Sequence, residues 1–150
     1  MSVWMNVTGV IWFDWFPFSL SDKKKVEEET RERYDLIKNA LETNKPTGSE
    51  GPLWFKFTKN DINMVTILGS LRDFDSEKIM SEFKPWWDSL IEIPYVRQAI
   101  VSCTTNRETH IFEKRIQHDA DLGEEMLKFY GPDPGIVIHT KREVKIDNNI

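Results

Sequence analysis

Between Leu53 and Leu71 the chain carries two β-rich runs around a short polar break. Leu53-Trp54-Phe55-Lys56-Phe57-Thr58 comes first, then Lys59-Asn60-Asp61, then Met64-Val65-Thr66-Ile67-Leu68-Gly69-Ser70-Leu71. β-branched and aromatic side chains suit a pleated, half-buried surface, so the pair reads as a hairpin. A helical pattern precedes it and another follows it. That makes the hairpin the middle of a βαββαβ unit and limits the chain to a few α+β topologies.

The first strand is expected over Val3–Phe13. Val3, Met5, Val7, Gly9, Ile11 and Phe13 share one nearly pure apolar face, and Trp4, Asn6, Thr8, Val10 and Trp12 share a mixed one. Pro17 stops any ladder, and Trp15, Phe16 and Phe18 beside it are read either as a plug under the first helix or as an anchor for a partner. Ser21-Asp22 offers N-cap chemistry for a charged helix to about Thr43, with Val26, Tyr34, Ile37 and Leu41 as its apolar stripe, widened by Leu36 and Ala40. Asp75 or Ser76 caps a second helix carrying Ile79, Phe83, Trp86, Trp87 and Leu90, which Pro85 is expected to kink or split. Trp86 and Trp87 point about 100° apart on a helix, so one is assigned to the core and the other to the edge of the stripe.

Val96–Thr105 reads as a strand that turns at Asn106-Arg107 and returns over Glu108–Arg115. A short helix over Asp119–Tyr130 and a last strand at Ile136–His139 complete the pattern, with the polar tail from Lys141 to Ile150 expected to fray. The expected fold is one α+β domain over residues 1–150. It has a ferredoxin-like βαββαβ core, an antiparallel sheet with helices on one face, and an added C-terminal strand-helix-strand.

Composition narrows the function. With 39% apolar and 30% charged residues the chain is globular, and six Trp and nine Phe are more aromatic surface than a core of this size needs. The net charge of −5, with no clustered basic face, argues against nucleic acid and against anionic membranes. The glycine-aromatic signature of RNA-recognition sheets is missing too. One cysteine, Cys103, excludes an internal disulfide and a cysteine-cage metal site. No basic, apolar signal segment opens the sequence, and the expected location is the cytoplasm.

Candidate chemistry is sparse. Asn106 and Arg107 as central turn residues place Cys103 opposite His110, where cross-strand Cβ atoms lie about 4.5–5.5 Å apart. That suggests a Cys–His dyad, but no oxyanion hole or orienting carboxylate accompanies it, and a buried cysteine is the preferred reading. His110, His118 and His139 match no metal-binding spacing, and no metal or cofactor is expected. The Arg72-Asp73-x-Asp75 run is read as pairing and capping. The loop Lys45–Pro52 is dense in turn residues. It serves as a connector or, less in favour, as an anion-binding loop using Thr47, Gly48, Ser49, Gly51 and Arg72.

Three stretches carry a resemblance: Met1-Ser2-Val3-Trp4-Met5-Asn6-Val7-Thr8-Gly9-Val10-Ile11, Pro46-Thr47-Gly48-Ser49-Glu50-Gly51-Pro52-Leu53, and Gly69-Ser70-Leu71-Arg72-Asp73-Phe74. Together they resemble a group of small phage-encoded proteins of uncharacterised function, from Met1 to about Arg115. The aromatic insert Trp15 to Ser21 departs from that group's pattern. The resemblance implies a viral accessory protein made in a bacterial cytoplasm and carries no catalytic residue over. The expected function is therefore non-enzymatic binding, through Trp4, Trp12, Trp15, Phe16, Trp54 and Trp87, to a second copy in a homodimer or to a host defence or regulatory protein. The alternative is a small-ligand binder that sequesters a nucleotide signal at Thr47–Gly51. A Cys103–His110 hydrolase is the distant third.

Overall fold

The computed structural model describes residues 2–13, 23–58, 64–93, 96–118 and 137–147. The expected Ser21-Asp22 cap, the Trp15-Phe16 segment and the Asp119–Tyr130 helix lie outside them. Six strands form one sheet: β1 (Trp4–Phe13), β2 (Leu53–Phe57), β3 (Met64–Arg72), β4 (Val96–Thr104), β5 (Glu108–His118) and β6 (Val137–Asp147). Their spatial order is β2-β3-β1-β4-β5-β6, and every neighbouring pair is antiparallel. Helix α1 (Lys23–Glu42) leads from β1 to β2. A second helical run leads from β3 to β4, as α2 (Ser76–Lys78), a π-helical turn (Ile79–Phe83) and α3 (Lys84–Ile91).

The alternation in β1 sorts as its sequence dictates. Met5, Val7, Ile11 and Phe13 are buried with Ile37 and Leu41 of α1, with Ile79, Phe83, Trp86, Trp87 and Leu90 of the second helical run, and with Val65, Ile67 and Val101 of the flanking strands. A register shift after Trp12 pairs Phe13 with Val96 after Trp12 pairs with Gln98. This bulge lets Val96 and Ala99 both face the core. Leu36, expected to widen the α1 stripe, is exposed instead, since among the described side chains of the helix the buried ridge runs through Arg33, Ile37 and Leu41.

Asp75 caps the second helical run, its Oδ1 accepting the Lys78 N–H at 3.0 Å. Pro85 does not split that run. The turn before it widens, so that the Lys84 N–H bonds to the Ile79 carbonyl five residues back. The ring of Pro85, which has no N–H to give, then follows without breaking the rod.

The C-terminal strands differ most from expectation. β5 runs on to His118, and β6 starts at Val137 and extends to Asp147, paired with β5 along its whole length. The stretch 141–147 is therefore strand, not frayed tail. Its charges hold it there: Lys145 Nζ reaches Glu108 Oε2 at 3.0 Å, and Arg142 Nη1 lies 3.7 Å from Glu113 Oε1. Lys114, buried in β5, donates to the Ile91 carbonyl at the end of α3 (2.6 Å) and to the Val96 carbonyl (3.0 Å), fastening the helix end to the added strands.

Candidate functional site

The strand register sets out the second face of the sheet in transverse rows. Trp54, Leu68, Thr8, Ser102, Ile111 and Val144 form one row across all six strands; Lys56, Thr66, Val10, Ile100, Glu113 and Arg142 form the next. Both helical segments contribute to the core on the opposite face. Trp54 is 65% exposed and Trp4 is 42% exposed, with Leu68, Ile100 and Ile146 also open and Val10 and Trp12 half-buried. Between the apolar groups runs a band of hydroxyls: Ser102 lies 3.4 Å from Thr104, Thr104 lies 3.3 Å from Thr109, and Ser70 Oγ donates to Asn6 Oδ1 at 3.0 Å. Such a face mixes exposed apolar groups and hydroxyls in one row with the charges of Lys56, Glu113 and Arg142 in the next.

Trp4, Trp12 and Trp54 thus share this face, Trp4 and Trp12 at opposite ends of β1, as the mixed alternation of that strand implied. Trp87 does not join them. It is 0% exposed, enclosed between the helical run and the sheet, and no partner reaches it in the folded protein. Trp86 is buried as well, with Nε1 donating to the Leu41 carbonyl at 3.1 Å. The widened π turn rotates both indoles into the core, which regular helical spacing does not foretell. Val10 was legible as a companion of the tryptophans on β1, and Leu68 of β3 joins it on this face. Ile100, Ile111 and Val144 carried the same signal, an apolar residue among polar ones on the outward parity of a strand.

The loop ahead of β2 is built for backbone packing. Ser49 N–H donates to the Arg72 carbonyl at 3.0 Å, Arg72 N–H to the Glu50 carbonyl at 2.8 Å, and Ser70 N–H to the Pro52 carbonyl at 3.1 Å. Gly51 has φ of +96°, and a Cβ there would stand 1.9 Å from the Ser70 carbonyl oxygen. A Cβ on Gly48 would meet the Arg72 carbonyl oxygen at 2.5 Å. The glycines admit a neighbouring strand, and Ser49 spends its N–H on that strand. Arg72 is committed as well, through Nη1 to Glu50 Oε2 at 2.8 Å and through Nε to Ser2 Oγ at 3.0 Å. Thr47 lies apart, in an open cleft of about 660 Å³ between the end of α1 and the π turn. Of the five residues considered for a ligand loop, Thr47 lines this cleft, while Ser49 and Arg72 are engaged in the packing of the loop on β3.

A buried polar cluster sits under β5. Cys103 pairs with His110 across β4 and β5, the register expected from the Asn106-Arg107 turn. Glu108 Oε1 lies 3.2 Å from His110 Nε2, and Ser76 Oγ lies 3.3 Å from the same nitrogen. The Ser76 hydroxyl, Lys145 and His110 hold the Glu108 carboxyl down to about 2, against the opposing effect of burial. Burial pushes the Cys103 thiol well above its ordinary value, away from the thiolate a nucleophile requires. A hydroxyl–imidazole–carboxylate relay needs its two oxygens on opposite ring nitrogens. Here both face Nε2, and the buried Nδ1 has no partner among the described residues. The arrangement is that of a strand-to-helix tie, with Ser76 at the start of α2 anchored to β5.

Among the described residues no group of three or more His, Cys, Asp and Glu side chains is placed to hold a metal ion, and no helix is long and apolar enough to cross a membrane. Comparison with protein-family models, with curated proteins and with solved structures finds no match.

Proposed function

We propose that this protein is a non-enzymatic binding protein that docks a protein partner on the open face of its sheet. The observation that carries the reading is the continuity of that face. Exposed apolar side chains from five of the six strands, Trp4, Trp54, Leu68, Ile100 and Ile146, stand beside hydroxyls, with half-buried Ile111 of β5 between them. Contiguous apolar surface on a folded protein often marks a partner's site. We further read β1 to β4 with their two crossovers as a ferredoxin-like core, a reading supported by the order β2-β3-β1-β4. The resemblance to small phage-encoded proteins favours a bacterial host protein of defence or regulation as the partner. The nucleotide-sequestering reading has less behind it, since Arg72 is paired with Glu50 and Ser49 N–H is spent on β3.

The test compares wild type with a Leu68→Lys/Ile100→Lys double variant, both immobilised in a bacterial lysate. Both positions are exposed, so the fold is kept, as circular dichroism verifies. The expected result is a protein retained by wild type, absent with the variant, and bound again when purified alone. Identical retention by both would remove the open face from the function.

A further inference from the structure

We infer that the free edge of β2 is a strand-pairing site for a second copy of this chain, joining two sheets about a two-fold axis at Phe55. The inference goes beyond the docking face and stands whether or not a partner covers it.

The hydrogen-bond pattern of the β2–β3 ladder shows which backbone groups are available. Thr58 N–H bonds to the Met64 carbonyl and Ser70 N–H to the Pro52 carbonyl, in register with Trp54 opposite Leu68 and Lys56 opposite Thr66. Antiparallel ladders alternate between bonded and non-bonded pairs. The even-numbered residues of β2 therefore point their N–H and carbonyl groups at β3. Leu53, Phe55 and Phe57 point theirs the other way, out of the sheet, where no described residue takes them up. An exposed row of this kind is a template for another strand. Alongside it, between β2 and α1, lies an open cleft of about 530 Å³ lined by Tyr34, Lys38, Lys45, Trp54, Phe55 and Phe57, with room for an added backbone.

The side chains specify which strand fits. Two copies of β2 paired antiparallel about Phe55 set Leu53 against the partner's Phe57 and Phe55 against the partner's Phe55. All outward groups then meet, in roughly six hydrogen bonds. The same register places Lys56 directly opposite the partner's Trp54, twice over. These are non-bonded positions, where cross-strand side chains come closest, so each ammonium meets the open ring of an indole. Trp54, at 65% exposure, is free to receive it. Shifting the register by two residues keeps only two of the three outward pairs and loses both lysine–tryptophan pairs. Lysine on an edge strand ordinarily guards against pairing, but here the strand carries the complement of its own charge. The opposite edge of the sheet does not: β6 bears Lys141, Arg142, Glu143, Lys145 and Asp147 within one run, a charged edge of the guarded kind.

The test uses the full chain as wild type, as two single variants and as one double variant, with mass by light scattering and amide exchange by NMR. Wild type should be a dimer. The amides of Leu53, Phe55 and Phe57 should then exchange as slowly as those of Trp54 and Lys56, at least about tenfold slower than in a monomer. Trp54→Lys sets like charges opposite each other and should give a folded monomer, with 53, 55 and 57 exchanging fast and 54 and 56 still slow. Trp54→Glu also deletes the indole but faces the partner's Lys56 with a carboxylate, and should remain a dimer. The Leu68→Lys/Ile100→Lys variant should remain a dimer too, which separates this result from the docking face. A wild-type monomer with fast exchange at 53, 55 and 57 would overturn the proposal, leaving the edge to a strand from a different protein. So would equal loss of the dimer in Trp54→Lys and Trp54→Glu, or a dimer broken by the face variant alone.

Discussion

Trp87 and Trp54 show how little residue type says about position. Both are indoles, yet one is fully enclosed and the other stands two-thirds in water. Trp87→Ala should cost about 3–5 kcal/mol of stability, as large-to-small core changes do, whereas Trp54→Ala should stay within about 0.5 kcal/mol for the monomeric fold. The Trp87 Nε1 is buried without a partner among the described residues. Trp87→Phe should therefore fall well short of the alanine cost, because it removes an unsatisfied donor along with some volume. Urea titration of the three variants measures these differences. Glu108 supplies a second prediction, in acid. Its carboxyl is depressed from an ordinary 4.5 to about 2 by the Ser76 hydroxyl, Lys145 and His110. A depressed carboxyl stabilises the fold above its unfolded value, and that contribution disappears as pH falls through the folded one. Wild type should thus lose stability between about pH 4.5 and 2, and Glu108→Gln should flatten that part of a melting-temperature profile. The pairing of Cys103 with His110 was readable from the turn residues. Ser76 was not, because only the packing of α2 on β5 brings it there.

The elements that were legible are those with a local period. The alternation of β1, the hairpin of β2 and β3, and the Asp75 cap all rest on neighbouring residues. The π turn and the length of β6 rest on partners distant in sequence. Pro85 signals trouble in a helix but not whether the rod will bend, break or widen. β6 carries apolar residues such as Val144 and Ile146 only in part of its outward parity, diluted by charges, and its charged residues find their partners on β5. The loop before β2 is shaped by its glycines, whose missing Cβ atoms let the backbone lie against β3. Gly51→Ala should cost about 2 kcal/mol or more, since φ of +96° and a Cβ at 1.9 Å from the Ser70 carbonyl oxygen both oppose a side chain. Thermal unfolding measures this, and a neutral outcome would mean that the loop can leave β3 freely.

At the scale of the whole molecule, one buried lysine joins the helical layer to the extended sheet. Lys114→Met keeps the aliphatic stem but strands the Ile91 and Val96 carbonyls, and should lower stability by about 2 kcal/mol. For a chain of this size that corresponds to a fall of roughly 4–8 °C in melting temperature. The core side of the sheet was visible in the sequence because apolar residues recur there with one period. The open face was visible only in part, since its apolar positions are diluted by threonine and serine and gather only when six strands align.

The placement of β1 also has a consequence in time. It lies at the centre of the sheet, yet it is made first, and both strands that satisfy it come much later: β3 from Met64 and β4 from Val96. A growing chain at a ribosome therefore holds β1 with two unpaired edges until β3 has emerged, and with one unpaired edge until β4 has. Contacts so distant in sequence close slowly, and unpaired edges invite wrong neighbours while they wait. A chain cut short before Val96 should keep β1 open on one side and aggregate. The strand that organises the finished protein is the most hazardous part of the unfinished one.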